Sequence, residues 1–136
     1  MARIVLTNAY VTINSVDVSD HVASVTLNSS IDVVETTAFS STAARTRIGG
    51  LADNSITLEF HQDYASGSIE ATIYPLLGNT TQVVVKPNGT STSATNPSYT
   101  ATALVSEWTP LNGAVGELAT ASVTWPVSGA ITKATA

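Results

Sequence analysis

From residue 22 to residue 35 the chain alternates between apolar and polar positions for longer than an ordinary strand needs. Ala23, Val25, Leu27, Ile31 and Val33 lie on one side; Ser24, Thr26, Asn28, Ser30 and Asp32 lie on the other. A period of two places those sets on opposite faces of a β-strand. At ~3.3 Å per residue the run reaches roughly 40 Å as one strand or a pair, against roughly 17–20 Å for a typical strand. Shorter runs predict strands at 4–6, at 9–14 (carrying Tyr10, Val11, Thr12 and Ile13) and from Thr81 to Lys86. From Ser55 to Gln62, Ile56, Leu58 and Phe60 face one way while Ser55, Thr57, Glu59 and His61 face the other. Residues 36 to 52 break the alternation and end on Gly49-Gly50, which reads as a long loop or bent arm.

One segment has helical spacing. Ile69, Ile73, Leu76 and Leu77 recur as a single stripe, predicting a helix from about Gly67 to Leu77 that lies across a sheet. Ser66 suits an N-cap, Glu70 suits the positive first turn and Gly78 suits the stop. Pro75 opposes a regular last turn, because it lacks an N–H and crowds the preceding carbonyl.

Residues 104 to 126, LVSEWTPLNGAVGELATASVTWP, hold both tryptophans around an Asn-Gly pair. Asn-Gly favours a two-residue type I′ turn. With Asn112 and Gly113 at the turn centre, Trp108 faces Glu117, Leu104 faces Ala121 and Thr100 faces Trp125. One face then carries Leu104, Trp108, Ala119, Ala121, Val123 and Trp125, a core face. The reverse face carries Tyr99, Ala101, Ala103, Val105 and Glu107 against Leu118, Thr120, Ser122 and Thr124. A slip of one residue exchanges the faces.

Composition sharpens this picture. Thr, Ser, Val and Ala dominate, which favours a mainly β chain. The 136 residues fit one domain, 1–136. Charged residues make up only 11%, where about 25% is ordinary for a soluble domain. Such a deficit points to surface covered in an assembly. With a net charge of -5 and five Lys plus Arg, the chain lacks the clustered cations that grip nucleic acid. There are no cysteines, so disulfide, thiolate-metal and Cys-nucleophile chemistry are excluded. The opening apolar run, MARIVLTNAY, is too short for a signal peptide, and no run approaches the ~20 apolar residues of a membrane span.

Candidate chemistry is sparse. His21 and His61 are the only histidines, and neither sits in a catalytic or metal-binding spacing. Asp17 and Asp20 flank His21 within SVDVSDHV, which reads as turn and strand-entry residues. No phosphate-cradling Gly-rich loop and no GxSxG is present. Asn28, Asn79 and Asn88 open glycosylation sequons, which a Ser- and Thr-rich chain produces by chance. Arg45 and Arg47 hold two of the five positive charges and read either as a solvated loop or as a docking element for acidic residues of another subunit. No cofactor and no metal is expected.

The order of these pieces carries a resemblance. ETTAFSSTAARTRIGGLADNSITLEFHQDYASGSIEATIYPLLG (Glu35 to Gly78) and SATNPSYTATALVSEWTPLNGAVGELATASVTWPVSGAITKAT (Ser93 to Thr135) resemble the centre and C-terminal hairpin of major tail tube proteins of long, non-contractile-tailed bacteriophages. The likeness is closest to phages of actinobacterial hosts, and it covers about two thirds of the chain. It implies a β-sandwich or partly open barrel flanked by one α-helix, with long hairpin strands that form a continuous β-barrel in the oligomer. It implies a structural virion protein, not an enzyme, made in the host cytoplasm and not secreted. Homohexameric rings would stack into a hollow tail tube through which DNA passes during ejection. The implied partners are the tape-measure protein in the lumen during assembly and the tail terminator and distal tail proteins, with no membrane anchor.

On that expectation Thr57, Glu59, Ala101, Ala103, Glu107, Thr120, Ser122 and Thr124 line the lumen. Phe39, Arg45, Arg47 and Ile48 sit on an arm that reaches a neighbouring subunit or ring. The rival readings are an inner tube protein of a contractile tail or secretion system and a monomeric β-sandwich binding or adhesin module. A stable monomer with a concave aromatic site would mark the latter.

Overall fold

The computed structural model describes residues 3–39 and 43–136. Eight strands follow in order: β1 (Tyr10–Ile13), β2 (Val16–Asp17), β3 (Val22–Glu35), β4 (Arg47–His61), β5 (Thr80–Lys86), β6 (Ser98–Leu104), β7 (Thr120–Val127) and β8 (Thr132–Ala134). They form one antiparallel sheet ordered β2-β1-β5-β6-β7-β4-β3, with β8 added to β6. The join between β6 and β7 is narrow. It consists of the Ala103–Val127 pair and a hydrogen bond from Ser128 N to Thr102 O at 2.7 Å. The sheet therefore divides into two wings, one of β2, β1, β5, β6 and β8, the other of β7, β4 and β3.

Both wings feed one core. Val11, Ile13, Val83 and Ala103 come from the first, and Ile56, Leu58, Phe60, Ala121, Val123 and Trp125 from the second. Burying a side chain the size of Phe60 contributes ~1.5–3 kcal/mol. Phe60 meets Trp108 edge-on, with ring centroids 5.7 Å apart, and packs at a tilt against Trp125. The expected mainly β architecture with one flanking helix is the one observed.

The helix is shorter than its stripe suggests. α1 (Ile69–Ile73) passes into a 3-10 turn at Tyr74–Leu76. Pro75 gives the reason: it cannot donate to the carbonyl four residues back, so the chain tightens instead of continuing. Ile69 and Ile73 are buried, while Leu77 is exposed. The N-cap is Ser68, not Ser66, and its hydroxyl donates to Asp63 Oδ2 at 2.8 Å rather than capping the helix. Gly78 ends the segment at φ 86°, a conformation that costs glycine little.

β3 has the full expected length, with irregularities at 22–24 and 31–33. The stretch 36–52 differs from expectation. Its second part, from Arg47, is the start of β4, so β3 and β4 make one long hairpin whose far end is an exposed two-stranded ribbon. Residues 40–42 of the expected arm lie outside the described residues. Gly49-Gly50 is a packing feature and not a turn. A Cβ on Gly50 would stand 2.9 Å from Val34 Cγ2, and one on Gly49 3.2 Å from Ile31 Cγ2. Residues 4–6, expected as a strand, form none; only Asn8 makes an isolated bridge, to Asn88.

The hairpin centred on Asn112-Gly113 is also absent. Residues 105–119 run outside the strands, and neither Asn112 nor Gly113 has the positive φ that a type I′ turn requires. Tertiary contacts replace local turn chemistry. Trp108 Nε1 donates to Glu70 Oε2 at 2.7 Å, and Trp125 Nε1 donates to the Glu107 carbonyl at 2.9 Å. A two-residue turn with both φ angles positive occurs instead at Asn14 (φ 50°) and Ser15 (φ 66°), joining β1 to β2.

Candidate functional site

The outer face of the second wing is an ordered polar surface. Register places Ser24, Glu59 and Ser122 in one row across β3, β4 and β7; Thr26, Thr57 and Thr124 in the next; and Asn28, Ser55 and Pro126 in a third. The Thr57 and Thr124 hydroxyl oxygens lie 3.2 Å apart. Ser30 and Asp53 continue the face toward the ribbon. Its charges, Glu59 and Asp53, are both negative, and its side chains are short. Alternation produces this surface directly, because every second residue of β7, and of β4 from Asn54 onward, turns inward.

The expected lumen-lining residues divide on this geometry. Thr57, Glu59, Ser122 and Thr124 stand together on the face, and Thr120 lies half-buried at its end beside His61. Ala101 and Ala103 do not join them. They are 2% and 0% exposed and point into the core. On β6 the inward set is Ala101 and Ala103, and the outward set is Thr100, Thr102 and Leu104. The expected assignment failed because it carried the β7 parity through a turn that does not exist. The 105–119 excursion lets each strand take its own parity, which a tight turn would forbid. Glu107 is not on a strand. Its Oε1 accepts from Thr124 N at 2.8 Å, satisfying a backbone donor on the edge of β7 that faces away from β4.

The arm residues are exposed. Phe39, Ile48, Leu51 and Val33 leave most of their surface uncovered, as the ribbon has no core of its own. Arg45 Nη1 lies 3.2 Å from Glu35 Oε1 within the same chain, and Arg47 is the cross-strand partner of Glu35. An exposed pair of this kind contributes about 0–1 kcal/mol; its use is to hold two charges at the ribbon end.

His21 has a specific placement that spacing did not reveal. Nδ1 lies 2.9 Å from Asp20 Oδ1, and Nε2 lies 2.9 Å from Asp63 Oδ2. Both ring nitrogens thus face carboxylates, and the contact ties the 3-10 turn at Ser19–His21 to the exit of β4. The Asp63 carboxyl is held below its ordinary value, first by the Ala65 N–H and then by the Ser68 hydroxyl, with His21 adding to the effect. Asp17 accepts from the Ser19 hydroxyl at 2.6 Å. Among the described residues, no group of three or more His, Cys, Asp or Glu is arranged to hold a metal ion, and no helix is long and apolar enough to cross a membrane. The loop 87–97 is built around the buried Asn96, whose Nδ2 donates to Thr90 O at 3.0 Å while its Oδ1 accepts from Asn88 N at 3.1 Å. Asn88, which opens a sequon, uses its own Oδ1 on Thr90 N at 2.7 Å.

No family model and no curated protein matches the chain. Solved structures do. A chain in the virion of a native gene transfer agent particle superposes with a TM-score of 0.73 at 12% identity, covering 93% of this chain and 95% of that one. A chain of an extracellular contractile injection system, the PVC sheath–tube complex in its extended state, gives 0.72 at 12% identity, covering 98% and 93%. A chain of the anti-feeding prophage baseplate gives 0.61 at 9% identity, covering 99% and 98%. The fold is thus one shared, over nearly its whole length, with subunits of phage-like tail and injection particles.

Proposed function

We propose that this chain is a tail tube subunit: a structural protein that forms hexameric rings, which stack into a hollow tube that conducts DNA. The observation that carries the proposal is the near end-to-end likeness to chains of a gene transfer agent virion and of a sheath–tube complex. A second gene transfer agent match, to a tail refined with C6 symmetry, supports sixfold rings. The conducting wall is the outer face of β3, β4 and β7, with Thr57, Glu59, Thr120, Ser122 and Thr124 toward the lumen. Short hydroxyls give DNA little to grip, and the acids Glu59 and Asp53 repel its phosphates. Joining the edges of neighbouring sheets would remove exposed edges and close a barrel. The ribbon, with Phe39, Arg45, Arg47 and Ile48, reaches a neighbouring subunit or ring.

The particle is a virion tail of the long non-contractile type, from a phage of an actinobacterial host, assembled in the host cytoplasm with a tape-measure protein in the lumen and terminator and distal proteins at the tube ends. A second reading has specific support. The match to the contractile injection system's sheath–tube complex fits as well as the gene transfer agent virion chain, with TM-scores of 0.72 and 0.73, so the same subunit would serve as an inner tube within a sheath. Negative-stain electron microscopy of the purified protein tests the proposal. Hollow tubes with a regular ring repeat are expected; a protein that stays strictly monomeric under all assembly conditions overturns it. Binding of preformed tubes to a sheath protein would favour the contractile reading.

A further inference from the structure

The chain holds two Asn-Gly pairs, Asn88-Gly89 and Asn112-Gly113. Neither lies in a strand. In such a pair the asparagine carboxamide is open to attack by its own backbone. The following residue has no Cβ to shield its nitrogen, and its backbone bends freely. Both glycines are exposed, and among the described residues neither N–H has a hydrogen-bond partner. The two pairs differ in what holds the asparagine.

Asn88 is fixed at side chain and backbone. Its Oδ1 accepts from Thr90 N at 2.7 Å and from Thr90 Oγ1 at 2.6 Å. Its N donates to Asn96 Oδ1 at 3.1 Å and its carbonyl accepts from Asn96 Nδ2 at 3.2 Å, and Asn96 is itself buried. Asn112 is exposed and lightly held. Its Nδ2 donates to Thr120 O and its carbonyl accepts from Thr120 N, both at 3.3 Å, beyond the usual N–H···O range.

We infer that Asn112 is a site of spontaneous deamidation in the folded chain, and that the fold protects Asn88 from the same reaction. The Gly113 nitrogen gives its proton to water and attacks Asn112 Cγ. The Cγ–Nδ2 bond breaks, ammonia leaves with a proton taken back from water, and a five-membered imide remains. Water then opens the imide at either carbonyl, leaving aspartate or isoaspartate at position 112. One water enters, one ammonia leaves, and nothing is oxidised or reduced. Asn88 can follow only by swinging its carboxamide off two short hydrogen bonds at once. The product alters the loop. A carboxylate at position 112 replaces the donor that faces Thr120 O and adds a negative charge to a stretch already carrying Glu107 and Glu117. The isoaspartate form also lengthens the main chain by one methylene where the loop is tied to the start of β7.

Peptide mapping by mass spectrometry tests this inference, which does not depend on the tube reading. Folded protein is held at mildly alkaline pH and physiological temperature, sampled over weeks and cleaved after glutamate. Asn112 then lies in the peptide between Glu107 and Glu117, and Asn88 in the one between Glu70 and Glu107. Asn112 should gain about one mass unit roughly tenfold faster than Asn88, as the extra hydrogen bonds at Asn88 imply. In urea the two rates should come within about twofold, because the same dipeptide is then unprotected at both places. Gly113→Ala should slow the reaction at position 112 about tenfold by shielding the nitrogen. A folded protein whose Asn112 stays intact, or whose Asn88 reacts as fast, overturns the inference. A preference for Asn112 that persists unchanged in urea also overturns it, since the difference would then belong to the sequence and not to the fold.

Discussion

Asn14 and Ser15 hold φ angles of 50° and 66° in the turn between β1 and β2. Left-handed conformations are tolerated by Asn and less so by Ser, yet nothing in Asn-Ser advertises the turn as loudly as Asn112-Gly113 does. Gly50 shows the converse, a glycine whose reason lies on the neighbouring strand. Gly50→Ala should destabilise the ribbon by about 1–3 kcal/mol through the clash with Val34. Faster amide exchange across 31–35 and 47–52 than in the wild type would show it, and Gly49→Ala should act less. Asp63 makes a pH prediction. Its folded pKa is depressed, so the stability it contributes is present above the unfolded carboxyl value, near ~3.9, and is lost as pH falls through the lower folded value. Urea denaturation below about pH 4 should show this loss in the wild type, while Asp63→Asn should lack that part of the pH slope.

Among the elements, those with long uninterrupted periodicity were legible: β3 to its full length, β1, β5 and the core-facing set of β4. The helix was legible in its stripe and its Gly78 stop, but Pro75 cut it short. The 105–119 stretch was misread because an Asn-Gly pair is a local preference worth little beside two buried tryptophans and their hydrogen bonds. The glycines there separate the two accounts. Gly116 has φ 81° with open space around it, whereas Gly113 has no positive φ and would meet Ala119 at ordinary contact distance. Gly116→Ala should therefore cost about 1–2 kcal/mol, while Gly113→Ala should be nearly neutral in thermal melts. A type I′ hairpin would make Gly113 the costly one.

For the whole molecule, exposed apolar residues on the ribbon, on residues 4–6 and on the 105–119 loop are more than an isolated small domain commonly leaves uncovered. Arg45→Glu combined with Arg47→Glu should leave the folded subunit intact, since both side chains sit on the exposed ribbon, and should suppress polymerisation measured by light scattering. Unchanged polymerisation would remove the ribbon from assembly. Glu59→Lys with Ser122→Lys should leave tubes intact and slow DNA passage, because cations on a smooth wall would hold phosphate; unaltered ejection would move the wall elsewhere.

The amino-acid pattern by itself determined the class of secondary structure, the long strand, the polar rows of β4 and β7 and the shortage of charge that points to assembly. These follow from period and composition, which are local properties. Only the tertiary structure decided that Ala101 and Ala103 face inward, that Arg47 belongs to a strand, and that His21 lies between Asp20 and Asp63. Each depends on which segments meet across the sheet. Strand parity and partner choice are set by the pairing of distant residues, and a turn preference at Asn112-Gly113 cannot outweigh the burial of Trp108 and Trp125.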